Sequence, residues 1–352
     1  MTKKILITGS QGFIGGYLCK ELLAAGYKIV GLDDYSKYGK VVRPHDSHPN
    51  FKFFEFDAAN LMDAFTHDKH SLMIKELCEV EYIINLAALI GGISYFSTYA
   101  YDLFAKNERI QASVMDVAIK LYQEHKLKRI IAISSSMVFE NAINFPTKED
   151  EITKCPPPSS AYGHQKLSVQ VWARAAWEQY KLPYTIINPF NCVGLGEDAS
   201  IKGEKVMSGE IPLLMSHVLP DLIHKCLEGQ DPLRILGAGN QVRCYTNGSD
   251  IARGIRLAME SDKAINEDFN ISTPVATSVL ELAEMVWKKI NPDKPFRYES
   301  DTPFLYDVQK RVPDVSKAKE VLGFEAEITL DESVDEVIQW FRSQRSAKNN
   351  RP

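Results

Sequence analysis

A doubly wound parallel α/β sheet with a second, smaller α/β lobe is the fold the sequence predicts, and three observations predict it. Short, almost continuously apolar strands alternate with helical patterns from Lys4 to Asn188, as strands covered on both faces do. A turn carrying Gly9, Gly12 and Gly15 separates the first strand from the first helix. After Pro189 the composition changes to glycines, charged loops and shorter elements.

Taken in order, Lys4 to Thr8 (KILIT) is the first strand, and the helix after it carries Phe13, Tyr17 or Leu18, and Leu22 before stopping at Gly26. Lys28 to Leu32 is the second strand, ending in Asp33 and Asp34; Phe51 to Phe56 is the third, ending at Asp57; Tyr82 to Leu86 is the fourth. A weaker helical segment is expected near 60–79. A long helix over roughly 99–124 sets Ile110, Val114, Val117, Ala118 and Leu121 on one face, and Arg129 to Ser134 forms the fifth strand. Pro156 to Pro158 is a rigid loop, Ser159 and Ser160 suit the cap of a helix running to about Tyr180, and Tyr184 to Asn188 is the sixth strand. Residues 1–187 with about 243–275 are expected in the first lobe and about 188–242 with 276–345 in the second. Residues 346–352 read as a disordered tail.

The chain has 352 residues, 45% of them apolar, enough for two lobes. A net charge of −5 gives no overall attraction to nucleic acid or anionic membrane. Without a signal-type segment or a run long enough to span a bilayer, a cytoplasmic protein with no nucleic-acid or membrane partner is expected. Six cysteines without CxxC or metal-ligand spacing point to reduced, mostly buried thiols and no metal site.

The glycine turn suits a dinucleotide. Glycine permits the tight turn and a close approach of backbone to pyrophosphate, and the helix N-terminus offers free N–H groups to phosphate. Asp33, ending the second strand, is the expected acceptor for ribose hydroxyls, and a carboxylate there favours NAD over NADP; Lys37 argues the other way. Asp57 is either an adenine contact or a plain turn residue.

Tyr162 and Lys166 are four residues apart, hence on one helix face. A neighbouring ammonium lowers a phenol's pKa, so the pair can take a hydroxyl proton while hydride leaves for a nicotinamide. The same spacing occurs at Tyr122–Lys126 and Tyr306–Lys310, but only Tyr162 opens a helix that follows a parallel strand ending in hydroxyl residues, Ser134 to Ser136.

Together, the glycine turn, the acid after strand two, Asn85-Leu-Ala-Ala88, Asn107, the serine strand end, YxxxK, Asn188-Pro-Phe-Asn191, Gly237 to Asp250 and Arg311-Val-Pro-Asp314 resemble the extended short-chain dehydrogenases that act on nucleotide sugars. The resemblance implies a Rossmann domain binding NAD through Gly9, Gly12, Phe13, Ile14, Gly15, Asp33, Asp34, Asp57, Ala58, Leu86, Ala87, Ala88 and Asn107, with Tyr162, Lys166 and Ser135 catalytic. It implies a substrate site of Gly91, Gly92, Ser136, Met137, Asn191, His217, Lys225, Arg243 and Arg311 for a nucleotide-diphosphate sugar, and a homodimer built on the helices near 99–124 and 160–180. Arg243 or Arg311 is alternatively a surface residue, and Cys192 is either a replacement for an acid/base group or a small buried thiol.

Local motifs are nearest GDP-fucose synthase and GDP-mannose 3,5-epimerase, in Ala87 to Ile93 and in Ser216 to Pro220 with Lys225. Met137 stands where those enzymes keep a proton-transferring cysteine, the decarboxylases a glutamate, and the 4,6-dehydratases the second acid of an Asp-Glu pair. A thioether cannot do that work. His217 is either a second acid/base or a surface histidine opening a helix. The expected activity is reversible hydride transfer at sugar C4, by a 4-epimerase of GDP- or UDP-sugars. A 3,5-epimerase and a 4-ketoreductase or dehydrogenase are the alternatives; a non-catalytic NAD-binding sensor is the alternative from a different class.

Overall fold

The computed structural model describes residues 2–67, 70–90, 98–197, 204–206, 209–211, 217–302 and 308–349. Seven strands make the central sheet: β1 Lys4–Thr8, β2 Lys28–Asp33, β3 Phe51–Glu55, β4 Tyr82–Asn85, β5 Arg129–Ile133, β6 Tyr184–Pro189 and β7 Glu267–Ile271. All pair in parallel, in the order β3-β2-β1-β4-β5-β6-β7. The near-continuous apolar strands follow from burial on both faces. Along β1, Leu6 enters one core while Ile5 and Ile7 enter the other; along β5, Ile130 and Ala132 alternate likewise with Ile131 and Ile133.

Helices α2 (Ser71–Leu77), α3 (Ala100–Glu124) and α4 (Ala161–Tyr180) cover the first core. Helix α1 (Phe13–Ala24) and the later helix Gly248–Glu260 cover the second. A third core gathers α5 (Val218–Leu227), the helix Val279–Ile290, the helix Leu330–Asn349 and the strand Leu233–Leu236. In chain order the helices after α5 are α6 (Gly248–Glu260), α7 (Val279–Ile290), α8 (Ser316–Leu322) and α9 (Leu330–Asn349). Among the described residues no helix is long and apolar enough to cross a membrane, and no group of three or more His, Cys, Asp or Glu side chains could hold a metal ion.

Three expectations need correction. The segment near 60–79 breaks into 3₁₀ turns at Ala58–Asn60 and Asp63–Thr66, and only Ser71–Leu77 is α-helical; Asp57 caps the first turn and Ser113 Oγ takes the Met62 N–H at 2.9 Å. The stretch holding α8, assigned to the second lobe, buries Ala318 and Phe324 in the core of the first, where Lys317 pairs with Glu267 at 2.9 Å and Asp268 at 3.0 Å on β7. The expected tail boundary at 346 falls inside α9, which continues to Asn349. Burial of Val334, Val337, Ile338 and Phe341 along one face holds it down, and Arg345 donates to the Leu227 carbonyl at 2.9 Å.

Candidate functional site

The chain leaves β1 toward β2 on one side and returns to β4 on the other. The carboxyl ends of β1 and β4 therefore open a crevice, the place where such sheets bind ligands. At its base Gly9 has φ +71°, and a Cβ there would meet the Ala87 nitrogen at 2.8 Å. A Cβ on Gly15 would sit 2.1 Å from the Gly9 oxygen. Turn and helix start thus close on each other through backbone alone. Gly12 precedes α1 without a side-chain cap, which leaves first-turn N–H groups for an anion.

Asp33 holds the far side of this turn. Its Oδ2 accepts the Gln11 N–H at 3.0 Å and its Oδ1 the Tyr35 N–H at 2.8 Å. Burial raises its pKa, and these two N–H groups oppose the rise. Asp34 caps the Ser36 N–H at 3.0 Å. Asp57 accepts from Ala59 and pairs with Lys106 at 2.8 Å.

At the other end of the crevice β5 runs into three serines. Ser134 Oγ donates to the Lys166 carbonyl at 2.9 Å. Ser135 Oγ accepts the Met137 N–H at 3.2 Å and is hydrogen-bonded to the Tyr162 phenol. Helix α4 presents Tyr162 because it starts where it does: Ser160 Oγ accepts the Gly163 N–H at 2.9 Å, and Glu140 accepts the N–H groups of Ser159 and Ser160 at 3.1 and 3.0 Å. Lys166 Nζ donates to the Ile133 carbonyl at 3.3 Å and lies 5.9 Å from the Tyr162 ring centroid. Burial pushes the Tyr162 phenol up to about 12, opposed by the Ser135 hydrogen bond and then by the charge of Arg311. Burial brings Lys166 down to about 8. The cation opposing the phenol's shift is therefore Arg311, whereas the sequence pointed to Lys166, whose ammonium is turned to the β5 carbonyl. Arg311 Nη1 stands 3.4 Å from Ser136 Oγ and 3.2 Å from Met137 Sδ.

The cleft lining brings together most of the expected residues: Gly9, Gly12, Phe13, Ile14, Gly15, Asp33, Asp34, Asp57, Ala58, Leu86, Ala87, Ala88, Ser135, Ser136, Met137, Tyr162, Lys166, Asn191, His217 and Arg311. Three expected residues stand elsewhere. Asn107 is buried, and its amide is used by Leu89, accepting the N–H at 2.6 Å and donating to the carbonyl at 2.9 Å. It shapes the loop after β4 instead of lining the cleft. Lys225 pairs with Asp221 at 2.7 Å and donates to the Arg234 carbonyl at 3.1 Å, on the outside of α5. Arg243 is buried in the strand beside Arg311, opposite it in register, and donates to the Val242 carbonyl at 2.9 Å. Gly91, Gly92 and Tyr306 lie outside the described residues.

Sequence reasoning missed Glu197, which is buried and hydrogen-bonded to His217 Nδ1. Burial works against its charge, but His217 and then Lys37 outweigh that and hold the carboxyl below its ordinary value. It also missed Arg43, which grips the Gln11 carbonyl at 3.1 and 2.8 Å. Both contacts join residues twenty or more positions apart in the chain, so no local signal announces them.

Residues 5–272 match the NAD dependent epimerase/dehydratase family. The chain belongs to that family. It is 28% identical over 347 residues to the UDP-glucose 4-epimerase of Mycolicibacterium smegmatis, covering 97% of this chain and 99% of that one. It is 25% identical over 345 residues to UDP-glucuronic acid decarboxylase 1 of Arabidopsis thaliana, covering 97% of this chain and 70% of that one. Among solved structures, the UDP-glucose 4-epimerase of Thermotoga maritima with UDP-glucose superposes with a TM-score of 0.78 at 27% identity, covering 97% of this chain and 99% of that one. This family member is accordingly an NAD-dependent enzyme of the extended short-chain dehydrogenase type. Its own residues fit the cofactor: the bare glycine turn and uncapped helix start suit a pyrophosphate, and the anchored Asp33 carboxylate suits ribose hydroxyls.

Proposed function

We propose that the protein is an NAD-dependent UDP-sugar 4-epimerase. The reading is carried by the grouping of Ser135, Tyr162 and Lys166 at the crevice with Met137 beside them. Hydroxyl, phenol and ammonium are the parts that alcohol oxidation needs, while the thioether neither donates nor accepts a proton. NAD bound in the cleft supplies the hydride acceptor and donor. Ser135 orients the C4 hydroxyl, and Tyr162, in the phenolate form that the Ser135 hydrogen bond and the Arg311 charge favour, removes its proton and later returns it. Lys166 braces the end of β5 and remains largely protonated near neutral pH, below its pKa of about 8. Arg311 offers a planar fork to the anionic part of the sugar nucleotide.

The names of the mycobacterial and Thermotoga relatives support C4 and a UDP-linked sugar, and thereby UDP over the GDP suggested by local motifs. The Arabidopsis likeness raises decarboxylation, for which the resemblance implies a glutamate where this chain has Met137. A second reading draws on the His217–Glu197 pair in the cleft wall: a carboxylate-supported imidazole beside a 4-keto sugar is suited to proton exchange at C3 or C5.

One experiment separates these readings. The protein is incubated in deuterated buffer with UDP-glucose, UDP-glucuronic acid, and GDP- and dTDP-sugars, and products are identified by NMR. The C4-inverted UDP-sugar without solvent deuterium is expected. Deuterium at C3 or C5 would favour the second reading, and loss of the sugar carboxylate would sink both.

We also infer a cytoplasmic homodimer. Helices α3 and α4 pack side by side and carry exposed Tyr101, Phe104, Val171 and Tyr180, apolar surface of the kind that association covers. A monomer by light scattering would count against it.

A further inference from the structure

Arg311 reaches the crevice on a segment that is docked onto the first lobe. The Thr147 N–H donates to the Val312 carbonyl at 2.8 Å, and the Asp314 N–H donates to the Thr147 carbonyl at 2.8 Å. Behind this docking point lies Asn270 of β7, fully buried. Its Nδ2 donates to the Thr147 carbonyl at 3.0 Å and to the Asp314 carbonyl at 3.3 Å, and its own N–H donates to Glu149 Oε1 at 2.8 Å.

The same amide continues inward. Asn270 Oδ1 accepts from Asn188 Nδ2 at 3.4 Å; Asn188 Oδ1 accepts from Gln170 Nε2 at 3.1 Å; Gln170 Nε2 also donates to Ser134 Oγ at 3.2 Å; and Ser134 Oγ donates to the Lys166 carbonyl at 2.9 Å. Every side chain in this belt is at most 2% exposed. Burying such groups is costly unless each finds a partner. Of the belt's side-chain atoms Gln170 Oε1 alone lacks a partner, and a buried network so nearly complete fixes one relative placement of the elements it joins, here α4, which carries Tyr162 and Lys166, and the 312–314 backbone, which follows Arg311.

We propose that Asn270 is a positioning residue: through Thr147 and the 312–314 backbone it sets where the Arg311 guanidinium stands relative to Ser135 and Tyr162. The guanidinium's place beside Ser136 and Met137 puts a full positive charge at the two residues that follow Ser135, the phenol's hydrogen-bond partner. Its influence on the phenol's proton affinity falls off with distance. A small displacement of the segment therefore reaches the phenol, although Asn270 touches neither residue. The inference rests on the reading of Tyr162 as the proton-transferring group, and its test does not depend on which sugar is turned over.

The test uses NAD-loaded protein labelled with fluorotyrosine, in which the Tyr162 resonance is assigned by its loss in Tyr162→Phe and its titration is followed by fluorine NMR. Arg311→Met is expected to raise the apparent pKa of that resonance by about 1 unit. Asn270→Ser, whose shorter side chain cannot span both carbonyls, is expected to raise it by roughly half as much. The double variant should titrate like Arg311→Met alone, because Asn270 acts only through the arginine. If Asn270→Ser fails to fold, Asn188→Ser cuts the belt one link away, with the same expected shift and the same non-additivity. An unshifted titration in the folded belt variant, additive shifts in the double variant, or an unshifted Arg311→Met would each overturn the proposal. Turnover of UDP-glucose and UDP-glucuronic acid is measured in parallel on the wild type; failure to convert either counts against the 4-epimerase reading and leaves the titration result standing.

Discussion

The Asp33 carboxylate at the end of β2 accepts the backbone N–H of Gln11 at 3.0 Å, tying the second strand to the glycine turn that follows the first. One side chain thereby does two things: it lines the cleft, as a partner for ribose hydroxyls would, and it holds the glycine turn. Asp33→Ala removes both, and hydrogen bonds to a charged group contribute about 1.5–3 kcal/mol. We expect NAD affinity to fall roughly 10- to 100-fold, measured by calorimetric titration of cofactor-stripped protein. Unchanged affinity would separate the turn from cofactor binding.

Tyr162→Phe removes a hydroxyl while keeping the ring that packs with Leu89, Leu103 and Met137. General acid–base groups contribute about 10²- to 10⁴-fold, so kcat for C4 inversion should drop by that factor with little change in melting temperature. A variant that turns over normally would revive the non-catalytic alternative.

Lys166 gives a pH dependence with a definite sign. Its pKa is about 8 in the folded protein, against about 10.4 in an unfolded chain. Between those values the unfolded chain binds more protons, so this group makes stability rise with pH. The melting temperature of wild type minus that of Lys166→Met should be flat below pH about 8 and climb toward pH 10. A difference that falls across the same window would show that the ammonium is not desolvated.

Lys225→Ala is expected to be silent. The half-buried side chain pairs with Asp221 one turn away on α5, and an i,i+4 helix pair is worth about 0.3–0.5 kcal/mol. KM for the UDP-sugar should stay within about twofold, and a larger rise in steady-state assays would return Lys225 to the substrate site.

The strands of the sheet were legible because burial on both faces forces near-continuous apolar runs, and Tyr162 was separable from its two look-alikes because only it follows a strand ending in hydroxyls. The second-lobe assignment of 316–324 failed for a physical reason: an amphipathic helix such as α8 declares that it has a buried face, and not which core receives it. The place of Asn107 was not legible, because a sequence shows that an amide is present and not that the Leu89 backbone engages it. Glu197 needed a contact with a residue twenty positions on, and only the fold shows that Arg311 also stands against Met137, just beyond the end of β5.

The sheet's last strand, β7, enters only after the chain has passed through much of the second lobe, and Phe324 closes the core beneath it still later. The cofactor-binding lobe is therefore not a unit that can finish folding as it leaves the ribosome. Until residue 271 has emerged, β6 is an open edge with unpaired backbone groups, a template for pairing with a neighbouring nascent chain. Synthesis of this protein leaves that edge exposed while residues 190–266 are made, and a fragment cut after α6 would inherit it permanently.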